Sequence, residues 1–267
     1  MQFGYCISMG AQDVSGIGAD RIPVLKKLGF DYVELPLAQV MSLGEAAFRD
    51  GPLEVLHRCE MPCLAMNNFF PGSFRLTGSV ADHKGALAYA QNAMDRAQRL
   101  GAKVIVFGSS GARNRPLNTP LELALDQLAS LLLKLAIMAK KFGLVIAIEH
   151  LNKQESNVVN RFSESCALAR RLNDESIGAL LDTYHMNLAS EPMTSILDGG
   201  SLLKHVHVAR TLGRSLPAAG DEEDYGALFA HLTRIGYNGT VSLEANIRQD
   251  FEKEAAAALA VLKSCAG

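Results

Sequence analysis

The sequence lacks the features of several large classes of protein. It has no Trp and only 5 Cys among 267 residues, and no two cysteines form a Cys-x-x-Cys pair. An odd number of cysteines at these spacings fits neither a disulfide framework nor a thiolate zinc site. No Gly-x-Gly-x-x-Gly follows the first apolar run and no Walker loop occurs. The usual signatures of nucleotide binding in open α/β sheets are therefore missing.

Long apolar runs and an excess of basic residues are also missing. The longest uninterrupted apolar stretch, Ala255 to Leu262, is far shorter than the ~20 residues that span a bilayer. The first residues lack the basic start and apolar run of a secretory signal, so we expect a cytoplasmic protein with no membrane partner. The 26 Lys and Arg against 28 Asp and Glu give a formal charge of -2 without a basic block. This balance argues against a nucleic-acid partner.

A repeat of short apolar runs and longer helical patterns organises the chain. The predicted strands are Phe3 to Ser8, Tyr32 to Leu37, Cys63 to Phe69, Lys103 to Phe107, Val145 to His150, Ile177 to Asp182, Leu203 to Val208 and Thr240 to Ala245. Helical patterns between them include Asp82 to Leu100, Leu121 to Phe142, Ser163 to Leu172, Tyr225 to Ile235 and Phe251 to Lys263. Strand and helix therefore alternate eight times.

The predicted fold is α/β, a single (β/α)8 TIM barrel domain over residues 1–267. Gly29, Gly101, Gly143 and Gly236 each follow a helical pattern, where a C-terminal cap favours a residue that tolerates positive φ. The strands are continuous apolar runs, as expected of a parallel sheet covered by helices. Eight units of about 33 residues match a closed barrel, whose active site lies at the C-terminal ends of the strands.

Four polar residues interrupt the predicted strands near those ends. They are Glu149, Asp182, His207 and Glu244, on strands five to eight. Three carboxylates that converge on one barrel mouth repel one another unless a positive charge lies between them. The sequence therefore predicts one divalent metal ion per chain, with Mn²⁺ or Mg²⁺ favoured by the oxygen-rich ligand set and Co²⁺ or Zn²⁺ as alternatives.

Several motifs around these residues resemble those of a known family. They are Ile148 to Glu155, Leu-Asp-Thr-Tyr-His-Met-Asn at 181–187, His205-Val206-His207 and Ser242-Leu243-Glu244. They are similar to the xylose-isomerase-like barrels of sugar-phosphate isomerases and epimerases, and within these to the ketose 3-epimerases. The resemblance implies that Glu149, Asp182, His207 and Glu244 bind the metal and that Glu149 and Glu244 also act as acid and base. It further implies that Glu155, His185 and Arg214 contact a sugar or sugar-phosphate substrate.

The resemblance implies epimerisation of a ketose at carbon three through an enediolate. An aldose–ketose or hydroxypyruvate-type isomerase and a keto-inositol dehydratase remain open, because enolisation can begin each of these reactions. A DNA-repair endonuclease of the same fold would need histidines where Asn67 and Gly108 lie. A non-catalytic sugar-binding barrel would not need both Glu149 and Glu244. A dimer or tetramer of the chain also remains open.

Some residues near the predicted mouth allow two interpretations. The loop that carries Arg113 and Arg115 could bind phosphate or carboxylate, or could be a solvated loop. Glu34 could point into the barrel or face a helix, and we leave it outside the predicted site. Since the chain has no Trp, any aromatic wall of a sugar pocket is expected from Tyr5, Phe69, Phe70 or Tyr184.

Overall fold

Eight parallel strands close into a barrel in the computed structural model, which describes residues 1–267. Each strand pairs with its neighbours in chain order, and β1 pairs with β8 to close the sheet. The strands are β1 (Gln2–Cys6), β2 (Tyr32–Pro36), β3 (Cys63–Asn67), β4 (Val104–Phe107), β5 (Val145–Glu149), β6 (Ile177–Asp182), β7 (Leu203–Val208) and β8 (Thr240–Leu243). The predicted TIM-barrel fold is confirmed.

Helices surround the barrel. They are α1 (Ile22–Leu28), α2 (Leu37–Ser42), α3 (Glu45–Phe48), α4 (Glu54–Arg58), α5 (His83–Leu100), α6 (Ser110–Arg113), α7 (Leu121–Phe142), α8 (Phe162–Leu172), α9 (Thr183–Leu188), α10 (Tyr225–Arg234) and α11 (Phe251–Ala266). No helix combines the length and the apolar composition needed to cross a bilayer.

The glycines predicted to end helices do so in the structure. Gly29, Gly101, Gly143 and Gly236 have φ values between 65° and 90°, a left-handed conformation that costs glycine little. The amides of Gly101 and Gly143 also bond to carbonyl groups of the preceding helical turn. These local caps explain why the sequence marks helix ends well.

The buried apolar side chains form two clusters, one inside the barrel and one that includes the surrounding helices. A small interior cluster contains Tyr32, Ala65, Val104, Val106, Ala147 and Leu180. The much larger core includes other strand residues, such as Ile146 and Leu181, together with helix residues such as Leu132. The ring of Tyr32 lies so close to Gly4 that a Cβ there would fall 2.3 Å from it. The barrel interior is therefore narrow and filled with side chains, so any polar group inside it lies against other side chains.

Candidate active site

Four side chains meet at the C-terminal ends of β5 to β8. Glu149 ends β5, Asp182 ends β6, His207 lies near the end of β7, and Glu244 directly follows β8. Each offers one ligand atom, and these atoms all lie within 4.8 Å of one another. His207 Nδ1 lies 3.2 Å from Glu149 Oε1, 3.1 Å from Glu244 Oε2 and 3.9 Å from Asp182 Oδ2. The structure thus brings together all four residues that the sequence analysis selected as metal ligands.

Hydrogen bonds that involve the main chain hold Asp182 and Glu149 in place. Asp182 caps α9, because its Oδ1 accepts a hydrogen bond from the His185 amide at 3.0 Å. The amide of Asp182 in turn donates to His150 Nε2 at 3.2 Å. Behind Glu149, the guanidinium of Arg113 donates to the Glu149 carbonyl at 2.7 Å. His150 and Arg113 are supporting residues that the sequence analysis did not identify in these roles.

Gly108 leaves the space that the Glu149 carboxylate occupies. A Cβ at position 108 would lie 1.8 Å from Glu149 Oε2. We expect Gly108→Ala to displace this carboxylate, to destabilise the fold by about 1–3 kcal/mol through overpacking, and to weaken metal binding. Thermal unfolding and metal titration measure these effects. Gly44→Ala is the matched control, because Gly44 has a φ of -63° and no heavy atom within 4 Å of its added Cβ. Metal binding equal to that of the parent in Gly108→Ala would contradict the expectation.

The two glutamates of the cluster have opposite pKa shifts. Burial raises the pKa of Glu149, and the charge of Glu244 adds to the rise, although a hydrogen bond from His207 opposes it. Burial also acts to raise the pKa of Glu244, but the positive charges of His207 and Arg214 outweigh it and bring the pKa to about 2. Opposite shifts in neighbouring carboxyl groups are typical of acid and base pairs.

Arg214 lies over the cluster. Its Nη2 is 2.5 Å from Glu244 Oε2 and 3.5 Å from Asp182 Oδ2. The guanidinium stacks above the ring of Tyr184, 4.8 Å from the ring centroid. Among the candidate aromatic residues, Tyr184 is therefore the one in contact with this charged group.

His185 and Glu155 lie beside the cluster and share one partner, Asn152. The amide nitrogens of Asn152 donate to His185 Nδ1, at 3.2 Å from the backbone and 2.9 Å from the side chain, and the Asn152 side chain also reaches Glu155 Oε1 at 2.9 Å. Since Nδ1 accepts these bonds, the proton of a neutral His185 lies on Nε2. That nitrogen is buried, has no hydrogen-bond partner, and lies 3.7 Å from Asp182 Oδ2.

Glu34 points into the barrel, which decides between the two directions that the sequence left open. Its Oε1 lies 3.0 Å from His207 Nε2, on the side of the ring opposite the three other carboxylates. The side chain is fully buried, and Cys6 approaches the same ring nitrogen to 3.9 Å. The sequence could not reveal this direction, because every residue of β2 is buried and the strand shows no polar alternation.

Of the two guanidiniums in the loop after β4, that of Arg113 is not available for the anion-binding cradle considered above. Arg113 is fully buried and donates to the carbonyls of Phe107 and Glu149. Burial lowers its pKa to about 10, against the opposing charge of Glu149. Arg115 donates to the Thr119 carbonyl at 2.8 Å. Tyr5 is likewise buried, and its hydroxyl donates to the Ala245 carbonyl at 3.0 Å, so it supplies no pocket wall.

The loops after β3 and β4 meet at the same end of the barrel. The amide of Phe70 donates to Ser109 Oγ at 2.9 Å. These loops and α2 line a cavity of about 420 Å³, whose polar side chains are all uncharged: Gln39, Ser42, Asn68, Ser109 and Ser110. This cavity can offer hydroxyl and amide groups to a ligand but no fixed positive charge.

Comparison with known proteins matches residues 22–265 to the family described as xylose isomerase-like TIM barrel. A ketose 3-epimerase of Arthrobacter globiformis is 35% identical over 113 residues, which are 42% of this chain and only 38% of that protein's length. A 3-dehydro-D-guloside 4-epimerase of Escherichia coli (strain K12) is 26% identical over 257 residues, 92% of this chain and 94% of that protein. D-psicose 3-epimerase with D-tagatose, from Clostridium cellulolyticum H10, has a TM-score of 0.87 at 19% identity over 100% of this chain and 99% of that one. This last likeness concerns the fold.

Proposed function

Because the chain belongs to the xylose isomerase-like TIM barrel family, we propose that it is a metal-dependent sugar epimerase that inverts a ketose at carbon three. The observation that carries the proposal is the convergence of Glu149, Asp182, His207 and Glu244 within 4.8 Å. Two glutamates in this cluster supply the pair of bases that epimerisation needs. The similarity to ketose 3-epimerases supports the choice of carbon three, although the segments matched in the first two cover only 38% and 39% of those proteins.

The donor set fits a divalent cation. Three carboxylates and one imidazole are the ligand types that Mn²⁺, Mg²⁺, Co²⁺ and Zn²⁺ accept, and we propose Mn²⁺ for its preference for oxygen with some nitrogen. The partnerless Nε2 of buried His185 beside Asp182 also fits a site that receives a ligand. A cation bound by Glu149, Asp182, His207 and Glu244 would polarise the carbonyl and hydroxyl oxygens of a ketose and acidify the carbon-bound proton between them.

Glu149 and Glu244 would move that proton. Glu149 ends β5 and Glu244 follows β8, three strands further around the barrel, so a substrate between them would present one face to each carboxylate. One glutamate removes the proton from carbon three, and the other returns a proton to the opposite face.

Three further residues would orient the sugar. His185 can donate from Nε2 to a substrate oxygen, since Asn152 occupies Nδ1. Glu155 can accept a hydrogen bond from a substrate hydroxyl, and Arg214 can donate to a substrate oxygen from its place above Glu244. Arg113 is fully buried and bonded to backbone carbonyls, so it is not available to a substrate phosphate, and we propose a sugar without a phosphate group.

A 4-epimerase is the second candidate. The 3-dehydro-D-guloside 4-epimerase of Escherichia coli aligns along nearly its whole length, unlike the ketose 3-epimerase of Arthrobacter globiformis. The same two glutamates could act on the neighbouring carbon if the substrate were shifted in the site. The isomerase and dehydratase alternatives, a cytoplasmic location and assembly into dimers or tetramers stay predictions.

Solvent-deuterium labelling tests the reaction. We expect the Mn²⁺-loaded protein in D₂O to place deuterium at carbon three of a ketose and to form both epimers, because the proton must leave and return at that carbon. NMR of a panel of ketoses, ketose phosphates, 3-keto-glycosides and keto-inositols identifies the labelled carbon. Label at carbon four of a 3-keto-glycoside with both epimers supports the second candidate, and label at carbon one or two supports an isomerase. No exchange with any substrate, in protein shown to bind metal, would contradict the proposed chemistry.

A further inference from the structure

Glu34 links two histidines of β7 from a fully buried position inside the barrel. Its Oε1 lies 3.0 Å from His207 Nε2, and its Oε2 lies 2.8 Å from His205 Nε2. Ser242 Oγ donates to Oε2 at 2.6 Å. Both carboxylate oxygens of Glu34 therefore have close partners, and its position is set from several sides of the barrel.

The network continues away from the metal-ligand cluster. His205 Nδ1 lies 2.7 Å from Thr240 Oγ1, and the Tyr32 hydroxyl lies 2.8 Å from Ser242 Oγ. All these side chains are buried in the barrel interior, where an unpaired polar group is costly. Packing and hydrogen bonds thus leave Glu34 with its carboxylate directed at His207.

The two ring nitrogens of His207 face different surroundings. Nδ1 faces Glu149 and Glu244 at 3.2 and 3.1 Å, whereas Nε2 faces Glu34. A neutral imidazole has one nitrogen that donates and one that accepts, and an ionised carboxylate can only accept. A hydrogen bond from Nε2 to Glu34 therefore leaves the lone pair of a neutral His207 on Nδ1, directed at the cluster.

We propose that Glu34 is a positioning residue that keeps the proton of His207 on Nε2 and so reserves Nδ1 for a divalent cation. The inference rests on the metal site of the proposed function and extends it by one residue that contacts neither substrate nor metal. A carboxylate that accepts the second ring proton of a metal-binding histidine fixes the orientation of the ring and makes its free nitrogen a better ligand.

An alternative role for Glu34 is as a ligand of a second metal ion. That role predicts that Nε2 of His207 carries no proton. Cys6, Glu34 and His207 themselves place three ligand atoms within 4.8 Å of one another. A second metal ion held there would need the lone pair of Nε2, and that nitrogen could then carry no proton. The proton on Nε2 and the number of ions bound per chain separate the two arrangements.

Glu34→Gln tests the proposal with Mn²⁺ as the probe. The amide is similar in size but can donate toward Nε2 of His207, which favours a proton on Nδ1. We expect Mn²⁺ affinity, measured from the electron paramagnetic resonance signal of free Mn²⁺, to fall about 10–100-fold. Tyr32→Phe is the matched control, because it removes a buried hydroxyl of the same network without touching Glu34 or His207. Equal Mn²⁺ affinity in Glu34→Gln and the parent would overturn the proposal.

A measurement on the parent protein keeps the test independent of whether Glu34→Gln folds. In ¹⁵N-histidine-labelled protein, with signals assigned through His207→Asn, two-bond nitrogen–proton spectra report which ring nitrogen carries the proton. We expect Nε2 of His207 to be protonated both with and without Mg²⁺. A bare Nε2, or two ions per chain with one lost in Cys6→Ala, would overturn the proposal. If the Mn²⁺-loaded parent protein exchanged no substrate hydrogen with D₂O, that result would count against the epimerase function. The Mn²⁺ affinities and the proton position on His207 would be unchanged by it.

Discussion

Glu244→Gln is expected to lower ketose turnover by about 10²–10⁴-fold while the protein still binds Mn²⁺. The amide keeps the size of the side chain and one oxygen, which can face the cluster where Oε2 lies 3.1 Å from His207 Nδ1 in the parent. It cannot accept the proton that epimerisation transfers. Initial rates with the substrate identified by deuterium labelling, together with Mn²⁺ titration, measure both effects.

Two further measurements make the Glu244 result specific. Glu175→Gln is the control, because Glu175 is exposed and lies away from the barrel mouth, and we expect parental rates from it. Deuterium exchange at the substrate carbon is expected to exceed epimer formation in Glu244→Gln, since Glu149 can still work on its own face. Parental turnover in Glu244→Gln would remove this residue from the mechanism.

Asp182→Asn is expected to weaken metal binding by at least about 100-fold. This loss is larger than the one usually caused by removing a hydrogen-bond partner of a ligand, because Asp182 is proposed to bind the metal directly. The substitution removes one negative charge from the cluster and hardly changes the volume. Asn also serves well as a helix N-cap, so the bond to the His185 amide can persist and the barrel is expected to stay folded. Metal analysis after dialysis and circular dichroism measure occupancy and fold.

The control for this prediction is Asp95→Asn. Asp95 lies on the exposed face of α5, where its carboxylate is 3.9 Å from the guanidinium of Arg99. It belongs to none of the segments that carry the four cluster residues. We expect full metal occupancy in this variant. Equal occupancy in folded Asp182→Asn and in Asp95→Asn would show that Asp182 is not a metal ligand.

The alternation of strands and helices could be predicted from the sequence because its signals are local. Apolar runs, helical periodicity and glycines such as Gly101 and Gly143 act within a few residues, and the structure has the strands and helices that they indicate. The ends of predicted strands were less accurate: the first and last runs extend to Ser8 and Ala245, whereas β1 ends at Cys6 and β8 at Leu243. Loop residues that stay buried beyond the sheet look like strand in a sequence.

The candidate site followed from one topological rule. In a parallel barrel the C-terminal ends of the strands meet at one mouth, so acidic residues that close apolar runs are brought together. Glu149, Asp182 and Glu244 are of this kind, and His207 joins them through the two-residue period of β7. Their chemical roles remain predictions that the variants above test.

Side-chain direction was decided only by the tertiary structure. Strand β2 is buried on both faces, so nothing in Tyr32-Val33-Glu34 shows which face meets the barrel interior; closure of the sheet, with Glu34 paired to Cys6 and Ala65, turns it toward His207. Arg113 shows the same limit in a loop. Its long side chain could have reached solvent or the mouth, but carbonyl groups at the ends of β4 and β5 bind it inside. The sequence alone determined that Glu149, Asp182, His207 and Glu244 reach one mouth, because each lies at or next to the end of an apolar run that is marked locally as a strand. Packing between distant strands determined where those groups point.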